Sequence, residues 1–316
     1  MNSATGNPPA GRAWKVVLAL ALYIGVGLWL ACLTSILLFK LGPHLGSAVS
    51  DFVARKSEDT LLRRSAMIWA VLFLPLLLKQ LDWQGRSDFG WTDLRSPRRR
   101  YVQLAVLGIA VGLLSLGAVC GLVLAGGARA LTPSDAAQSI VLPLFFFALS
   151  GLTVAIIEET FARGILFRPL IRSWGVWPAA LVSSLLFAAA HFIHGDPAAV
   201  RSYSLFPASF KLLTSCLAGI PDASHFLVRF ANLALLGIVL CSFAARTGTI
   251  WLSVGAHAAW VWVMKVNGFL SDTVTSRPWT PWWGQRGDCT DSLLATSALL
   301  IVLAVVRPRS PSEPPV

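Results

Sequence analysis

Charged residues are scarce in this chain: they make up 13% of its 316 residues, whereas soluble domains carry about 25%. Hydrophobic residues reach 55%, and the mean hydropathy is +0.67. These values exclude an ordinary water-soluble domain. They predict an integral, multi-pass membrane protein, which we expect in the cell (inner) membrane.

Acidic residues are fewer than basic ones, 15 against 26, which gives a net charge of +11. An excess of this size would suit a nucleic-acid-binding protein, but the basic residues fall largely between apolar runs. Arg98, Arg99 and Arg100 directly precede one of these runs, where they would contact anionic lipid headgroups. We therefore expect the lipid bilayer, and no nucleic acid, as a partner.

Cysteine is also rare, with five residues in the chain and no Cys-x-x-Cys spacing. Cys32, Cys120, Cys216 and Cys241 lie in or beside apolar segments. We interpret the cysteines as small apolar core residues.

Apolar runs separated by polar connections predict an all-α, polytopic membrane protein with about eight transmembrane helices. The predicted spans are Trp14–Phe39, Ser65–Leu81, Tyr101–Gly126, a helix from near Gln138 to Ile171, Val176–Ile193, Leu227–Ala245, Thr249–Val266 and Leu293–Val306. Residues 14–306 are predicted to form one transmembrane domain between a flexible tail, 1–13, and a Pro-rich tail, 307–316. The half-apolar connection after the fifth span is expected to be an interfacial or re-entrant element. Basic residues divide almost equally between alternate loops, so the orientation stays open.

Two adjacent carboxylates, Glu158 and Glu159, interrupt the long fourth run. Ionisable residues inside a membrane span are costly and indicate a functional site. Glu159 and Arg163 have the i,i+4 spacing of a helical ion pair. Glu158 is rotated by about 100° from Glu159, so we predict that it is the free carboxylate.

Two histidines occupy other spans. His191 lies near the end of the fifth span, four residues after Phe187, and this spacing would stack the ring on the imidazole. His257 lies within the seventh span, after Gly255 and Ala256, which permit close approach of a neighbouring helix. We therefore expect the site between the fourth, fifth and seventh spans.

Carboxylates with two histidines are compatible with two kinds of hydrolysis. They could hold a divalent metal that activates a water, or Glu158 could be the general base while histidines assist it. A proton-coupled transporter would also use intramembrane Glu and His. The His-Glu-x-x-His of zinc proteases, the Gly-x-Ser-Gly of rhomboid-type proteases and the Gly-x-Gly-Asp of intramembrane aspartyl proteases are all absent.

The ordered motifs Glu158-Glu159-x-x-x-Arg163, Phe187-x-x-x-His191 and His257 resemble the CPBP family, the type II CAAX endopeptidases. The resemblance covers roughly residues 139–265. It implies an intramembrane endopeptidase, of glutamic or metallo type, that cleaves a membrane-associated protein or peptide with a lipid or a hydrophobic tail.

The resemblance also implies roles for the residues. Glu158 and His191 would activate the water, Glu159 would assist or orient, and His257 would stabilise the oxyanion or share in the site. Arg163 and Phe187 would support them. A divalent metal such as zinc, if present, would be held by Glu158, His191 and His257.

One departure concerns the third motif, which in the family often has Asn or Asp four residues after the histidine. Here that position is Val261, so either His257 suffices or another residue substitutes, and Asn232 and His194 are the candidates. Some relatives have immunity or scaffolding roles, so a non-catalytic transporter or a maturation or immunity factor is the alternative. The substrate and the oligomeric state stay open.

Overall fold

The computed structural model describes residues 10–54, 58–80, 83, 85–91, 97–132, 140–192, 205–218, 223–274, 282–284 and 287–306, some without their side chains. The chain divides into two compact units. The first unit contains residues 1–83 and 189–221, and the second contains 84–188 and 222–316. The prediction of one domain over 14–306 stays a prediction. The predicted Pro-rich tail and His194 lie outside the described residues.

The first unit is helical. Its helices are α1 (Ala10–Leu41), α2 (Ser47–Ala54), α3 (Glu58–Gln80) and α8 (Leu205–Ala218), with a 3₁₀ turn at Gly42–His44. Because α1 begins at Ala10, residues 10–13 of the predicted tail are helical. Trp29 on α1 donates a hydrogen bond to Ser209 on α8. The half-apolar connection after the fifth span thus contains a helix that packs on the first span.

The second unit carries the remaining helices. They are α4 (Arg98–Ala125), α5 (Val141–Glu159), α6 (Arg168–Trp174), α7 (Val176–Ala190), α9 (Ala223–Thr247), α10 (Trp251–Leu270) and α11 (Leu293–Val305), with a 3₁₀ turn at Arg86–Phe89. A π-helical segment, Thr160–Phe167, joins α5 to α6 without a break. Strands β1 (Arg129–Leu131) and β2 (Ser271–Thr273) pair antiparallel, an element that the sequence did not predict.

Each of the eight predicted spans is helical, which confirms an all-α polytopic membrane protein. In the described part of the chain, five helices are long and apolar enough to cross a membrane: Lys15–Leu41, Thr60–Gln80, Arg98–Ala125, Val141–Trp174 and Phe226–Thr247. Helices α7 and α11 are shorter, and α10 carries His257, Lys265 and Asn267. The number of eight spans stays a prediction.

Helices α4 and α10 run parallel and approach each other at glycines. A Cβ added at Gly112 would lie 2.7 Å from the carbonyl oxygen of Ala256. Cβ atoms at Gly108 and Gly255 would collide with backbone of the opposite helix. Small residues allow membrane helices to pack backbone against backbone. The predicted close approach at Gly255 is therefore confirmed, and it fixes the height of His257, two residues further along α10.

Candidate active site

The acidic pair lies where the fourth predicted span changes from an α-helix to a π-helix. Glu158 and Glu159 are the last residues of α5, and Arg163 lies in the π-helical segment that follows. The predicted helix through the acidic pair is confirmed, but its π-helical turn was not predicted. Such turns are rare and occur frequently at functional sites. They rotate the following side chains relative to a regular α-helix.

Glu159 and Arg163 form the ion pair that the spacing predicts. Arg163 Nη1 lies 3.0 Å from Glu159 Oε1, and both side chains are fully buried. The guanidinium also donates from Nη2 to the carbonyl oxygen of Gly237 at 3.3 Å and lies 4.7 Å above the Phe187 ring. Two charges taken out of water need partners. The contacts from α7 and α9 hold the arginine in place.

His257 binds the same carboxylate oxygen. Its Nδ1 lies 2.8 Å from Glu159 Oε1, and its ring meets Phe187 edge to face at a centroid distance of 6.1 Å. An ionised carboxylate can only accept hydrogen bonds, so this contact requires a proton on Nδ1. Glu159 thus fixes the orientation of the imidazole and turns Nε2 away from itself.

Glu158 meets the other side of the imidazole. Its Oε2 lies 3.8 Å from His257 Nε2, and its side chain is 37% exposed. Within the described part of the chain, Glu158 Oε2 is buried without a hydrogen-bond partner, as are Glu159 Oε2 and Arg163 Nε. We call Glu158, Glu159, Arg163 and His257 the carboxylate cluster. Its members come from the fourth and seventh predicted spans.

His191 is placed differently from the prediction. Helix α7 ends at Ala190, and Phe192 N donates to the carbonyl oxygen of Ala189, so His191 lies in a turn. The predicted helix end at Ile193 is therefore wrong, because the chain tightens into this turn before the polar segment begins. His191 belongs to the first compact unit. Its role beside Glu158 stays a prediction.

Asn232 does not replace the polar residue missing at Val261. Its amide nitrogen donates to the carbonyl oxygens of Thr290 and Ser292, both at 2.9 Å, and its Oδ1 accepts from Thr296 at 2.6 Å. The amide is thus fully engaged in fixing the start of α11. Val261 is buried and faces Gly151 of α5. The other candidate, His194, lies outside the described residues.

A short segment, Asp88–Trp91, contacts the site and was missed by the sequence analysis. The carbonyl oxygen of Phe89 lies against Gly164, where a Cβ would approach it to 2.6 Å. Trp91 Nε1 donates to the hydroxyl of Thr160 at 2.9 Å, directly after Glu159. Asp88 binds Arg172 of α6 through two hydrogen bonds, 2.8 and 2.9 Å. Gly164 in the acidic motif was the available signal, since a glycine there indicates close approach of another backbone.

The described residues do not form a metal-binding site. No three His, Cys, Asp or Glu side chains among them converge so as to hold one. Of the three predicted ligands, Glu158 and His257 are neighbours, but one imidazole nitrogen is already used by Glu159. We therefore derive no step through a metal, and zinc stays a prediction.

Comparison with known proteins identifies the segment that carries this geometry. A family model described as type II CAAX prenyl endopeptidase Rce1-like matches residues 140–263, from the start of α5 into α10. The match includes every member of the carboxylate cluster. No curated protein and no solved structure matches the chain. Over residues 140–263 this integral membrane protein is thus similar to the type II CAAX prenyl endopeptidases, which supports the predicted resemblance to the CPBP family of intramembrane proteases.

Proposed function

We propose that the protein hydrolyses a peptide bond of a membrane-associated substrate protein that carries a lipid or a hydrophobic tail. Cleavage takes place within or at the edge of the cell (inner) membrane. The observation that carries the proposal is the pair formed by Glu158 Oε2 and His257 Nε2, 3.8 Å apart. The other imidazole nitrogen is held by buried Glu159.

The spacing of this pair accommodates a reacting water. An oxygen atom about 2.8 Å from both Glu158 Oε2 and His257 Nε2 would form good hydrogen bonds with each. Such a water would satisfy the unpaired Oε2 of Glu158. A polar contact longer than 3.5 Å commonly includes a water. The pair therefore presents a place for the nucleophile beside a base.

Glu158 acts as the general base. It takes a proton from the water as the oxygen adds to the scissile carbonyl carbon, and it then returns that proton to the leaving amine. When His257 is in the imidazolium form, with a proton on each ring nitrogen, its Nε2–H donates a hydrogen bond to the oxyanion. Glu159 and Arg163 hold the imidazole through Nδ1. His191 is the predicted further partner of the water.

The test is cleavage of a panel of lipidated and hydrophobic-tailed peptides by the purified full chain in detergent. Glu158→Gln keeps the shape of the side chain and removes the base. Asp272→Asn is the matched control, because this exposed carboxylate lies on β2, away from the cluster. Wild type and the control should cleave, and Glu158→Gln should not.

Three further outcomes decide the remaining alternatives. Loss of cleavage with a chelator, restored by zinc, would replace the glutamate mechanism with a metal mechanism. Equal cleavage by wild type and Glu158→Gln would remove Glu158 as the base. Proton-dependent uptake of a solute by vesicles containing wild type, without cleavage of any peptide, would favour the transporter.

A further inference from the structure

Two cysteines that the proposed chemistry does not use lie side by side in the second unit. The sulfur of Cys120, near the end of α4, is 3.7 Å from the sulfur of Cys289, in the segment before α11. They are 7% and 1% exposed, and 169 positions separate them in the chain. A disulfide bond is about 2.0 Å long, so a small side-chain rotation would bring the two atoms to bonding distance.

The backbone holds Cys289 against Cys120. Its φ angle is +55°, and in the described residues it is the one non-glycine position with a positive φ. This conformation is uncommon for residues other than glycine, asparagine and aspartate, and it persists where surrounding contacts impose it. Asn267 of α10 supplies two of these contacts, donating to the carbonyl oxygen of Gly287 at 2.8 Å and to Cys289 Sγ at 3.6 Å.

The charges of the unit indicate which side of the membrane this thiol pair faces. At the end where α4 and α10 begin, the described residues include six arginines: Arg98, Arg99, Arg100, Arg168, Arg172 and Arg246. Hydrogen bonds and chain position place the last three there, since Arg168 donates to Gly248, Arg172 binds Asp88, and Arg246 lies in the last turn of α9.

The opposite end of the unit has three described basic residues, half as many, and an equal number of acidic ones, so we call it the balanced end. Its described basic residues are Arg129, Arg229 and Lys265, and its described acidic residues are Asp272, Asp288 and Asp291. An excess of Lys and Arg beside the spans marks the cytoplasmic side. The thiol pair at the balanced end therefore faces the non-cytoplasmic side, where disulfides form and persist.

We propose that Cys120 and Cys289 form a disulfide bond on the non-cytoplasmic side of the membrane, which ties the end of α4 to the segment before α11. This inference rests on the helices spanning the membrane and not on the proposed catalysis. Both cysteines lie in a buried apolar cluster with Val119 and Val123, which confirms their interpretation as core residues, and the bond would form within that cluster.

The bond forms by exchange with the disulfide of a thiol–disulfide oxidoreductase. Two S–H bonds of the chain are lost and one S–S bond forms. The two electrons and two protons reduce the disulfide of the oxidant to a dithiol. The hydrogen bond with Cys120 and burial raise the pKa of the Cys289 thiol. Because the thiolate is the reacting species, exchange takes place before this segment packs.

The test counts oxidised thiols in the full chain expressed in a bacterial host with an intact periplasmic thiol-oxidation system. Membranes are denatured in N-ethylmaleimide to block free thiols, then reduced, and newly exposed thiols are labelled with a polyethylene glycol maleimide. Wild type should gain two labels per chain. Cys241→Ser, which removes another buried thiol of the same unit, should also gain two, whereas Cys120→Ser and Cys289→Ser should gain none.

A second readout needs no variant. Reduction should lower the Tm of wild type by several degrees, because a bridge across a long loop restricts the unfolded chain. Expression in a host without the thiol-oxidation system should abolish the two labels. Wild type without labels in the intact host would overturn the proposal, as would two labels that persist in Cys120→Ser.

Discussion

Two groups of buried polar side chains, one at each end of the second unit, find hydrogen-bond partners to different degrees. At the balanced end, Arg129, Asn232 and Asn267, which we call the loop network, direct their side chains to backbone and hydroxyl partners. Arg129 Nε, for example, donates to Ser271 Oγ at 2.8 Å. At the basic end, the carboxylate cluster retains buried oxygen and nitrogen atoms without a partner in the described residues.

This difference indicates that the loop network is structural and that the carboxylate cluster is the site of the chemistry. Buried polar atoms in native structures are nearly all hydrogen-bonded, and each exception needs an explanation. The loop network has the connectivity of a structural brace, since it ties α9 and α10 to the segment before α11. The carboxylate cluster keeps unused acceptors beside an oriented imidazole. Stability should therefore depend on both ends, and peptide hydrolysis on the cluster alone.

After the loss of cleavage expected for Glu158→Gln, the largest effect is expected for His257→Gln. The cleavage rate should fall about 10²- to 10³-fold, because the oxyanion donor is lost. The glutamine amide can still donate to Glu159, so the Tm should change little. Trp260→Phe is the control on the same helix, where the indole binds Ser115 of α4. A cleavage rate for His257→Gln within tenfold of wild type would move the chemistry away from this imidazole.

Arg163→Met tests the buried ion pair by leaving Glu159 charged and without its cation. The free energy of unfolding in detergent should fall by about 3–5 kcal/mol. The double variant Glu159→Gln/Arg163→Met should regain most of this loss, because no uncompensated charge remains. It should still cleave poorly, since the imidazole loses its charged partner. A double variant as unstable as the single one would contradict the pairing.

Asn232→Leu tests the loop network. It leaves the carbonyl oxygens of Thr290 and Ser292 without their donor, which should lower the free energy of unfolding by about 1–3 kcal/mol. The rate of cleavage by the folded fraction should stay at the wild-type value. Denaturant unfolding and peptide cleavage on one preparation measure both quantities. A selective loss of activity would place Asn232 in the chemistry after all.

Phe187→Leu should have the smallest effect. It removes the ring below Arg163 and beside His257, and a cation–π contact contributes about 1 kcal/mol. Cleavage should fall several-fold while the chain stays folded. Phe243→Leu is the matched control, because that buried ring packs in an apolar cluster of α9, α10 and α11. Activity loss in both variants would show a packing effect and not a local one.

Several features of the fold and site were predictable from local sequence. Long apolar runs must form helices in lipid because the backbone can find hydrogen bonds only within its own segment. The ion pair between Glu159 and Arg163 follows from i,i+4 spacing, and the π-helical turn after Glu159 did not prevent it. The boundary at His191 was less predictable, because one turn of backbone hydrogen bonds decides where a helix ends.

Other features depend on which helices meet. Residue spacing could not show that Glu159 binds His257 as well as Arg163. His257 lies on α10, and the position of α10 depends on its close packing against α4 at glycines. The sequence also did not show that basic residues collect on one side of the membrane, because Lys and Arg were nearly equal in number in alternate loops. The folded unit groups Arg168, Arg172 and Arg246 at one of its ends.

The sequence by itself determined a helical membrane protein with a carboxylate pair, an arginine and a histidine on its spans. Hydropathy and helical periodicity act over a few turns, so they are readable without a structure. Only the tertiary structure decided that Glu158 faces the free nitrogen of His257, that Asn232 braces α11, and that Cys120 lies against Cys289. These contacts join residues that are 58 to 169 positions apart, and helix packing brings them together.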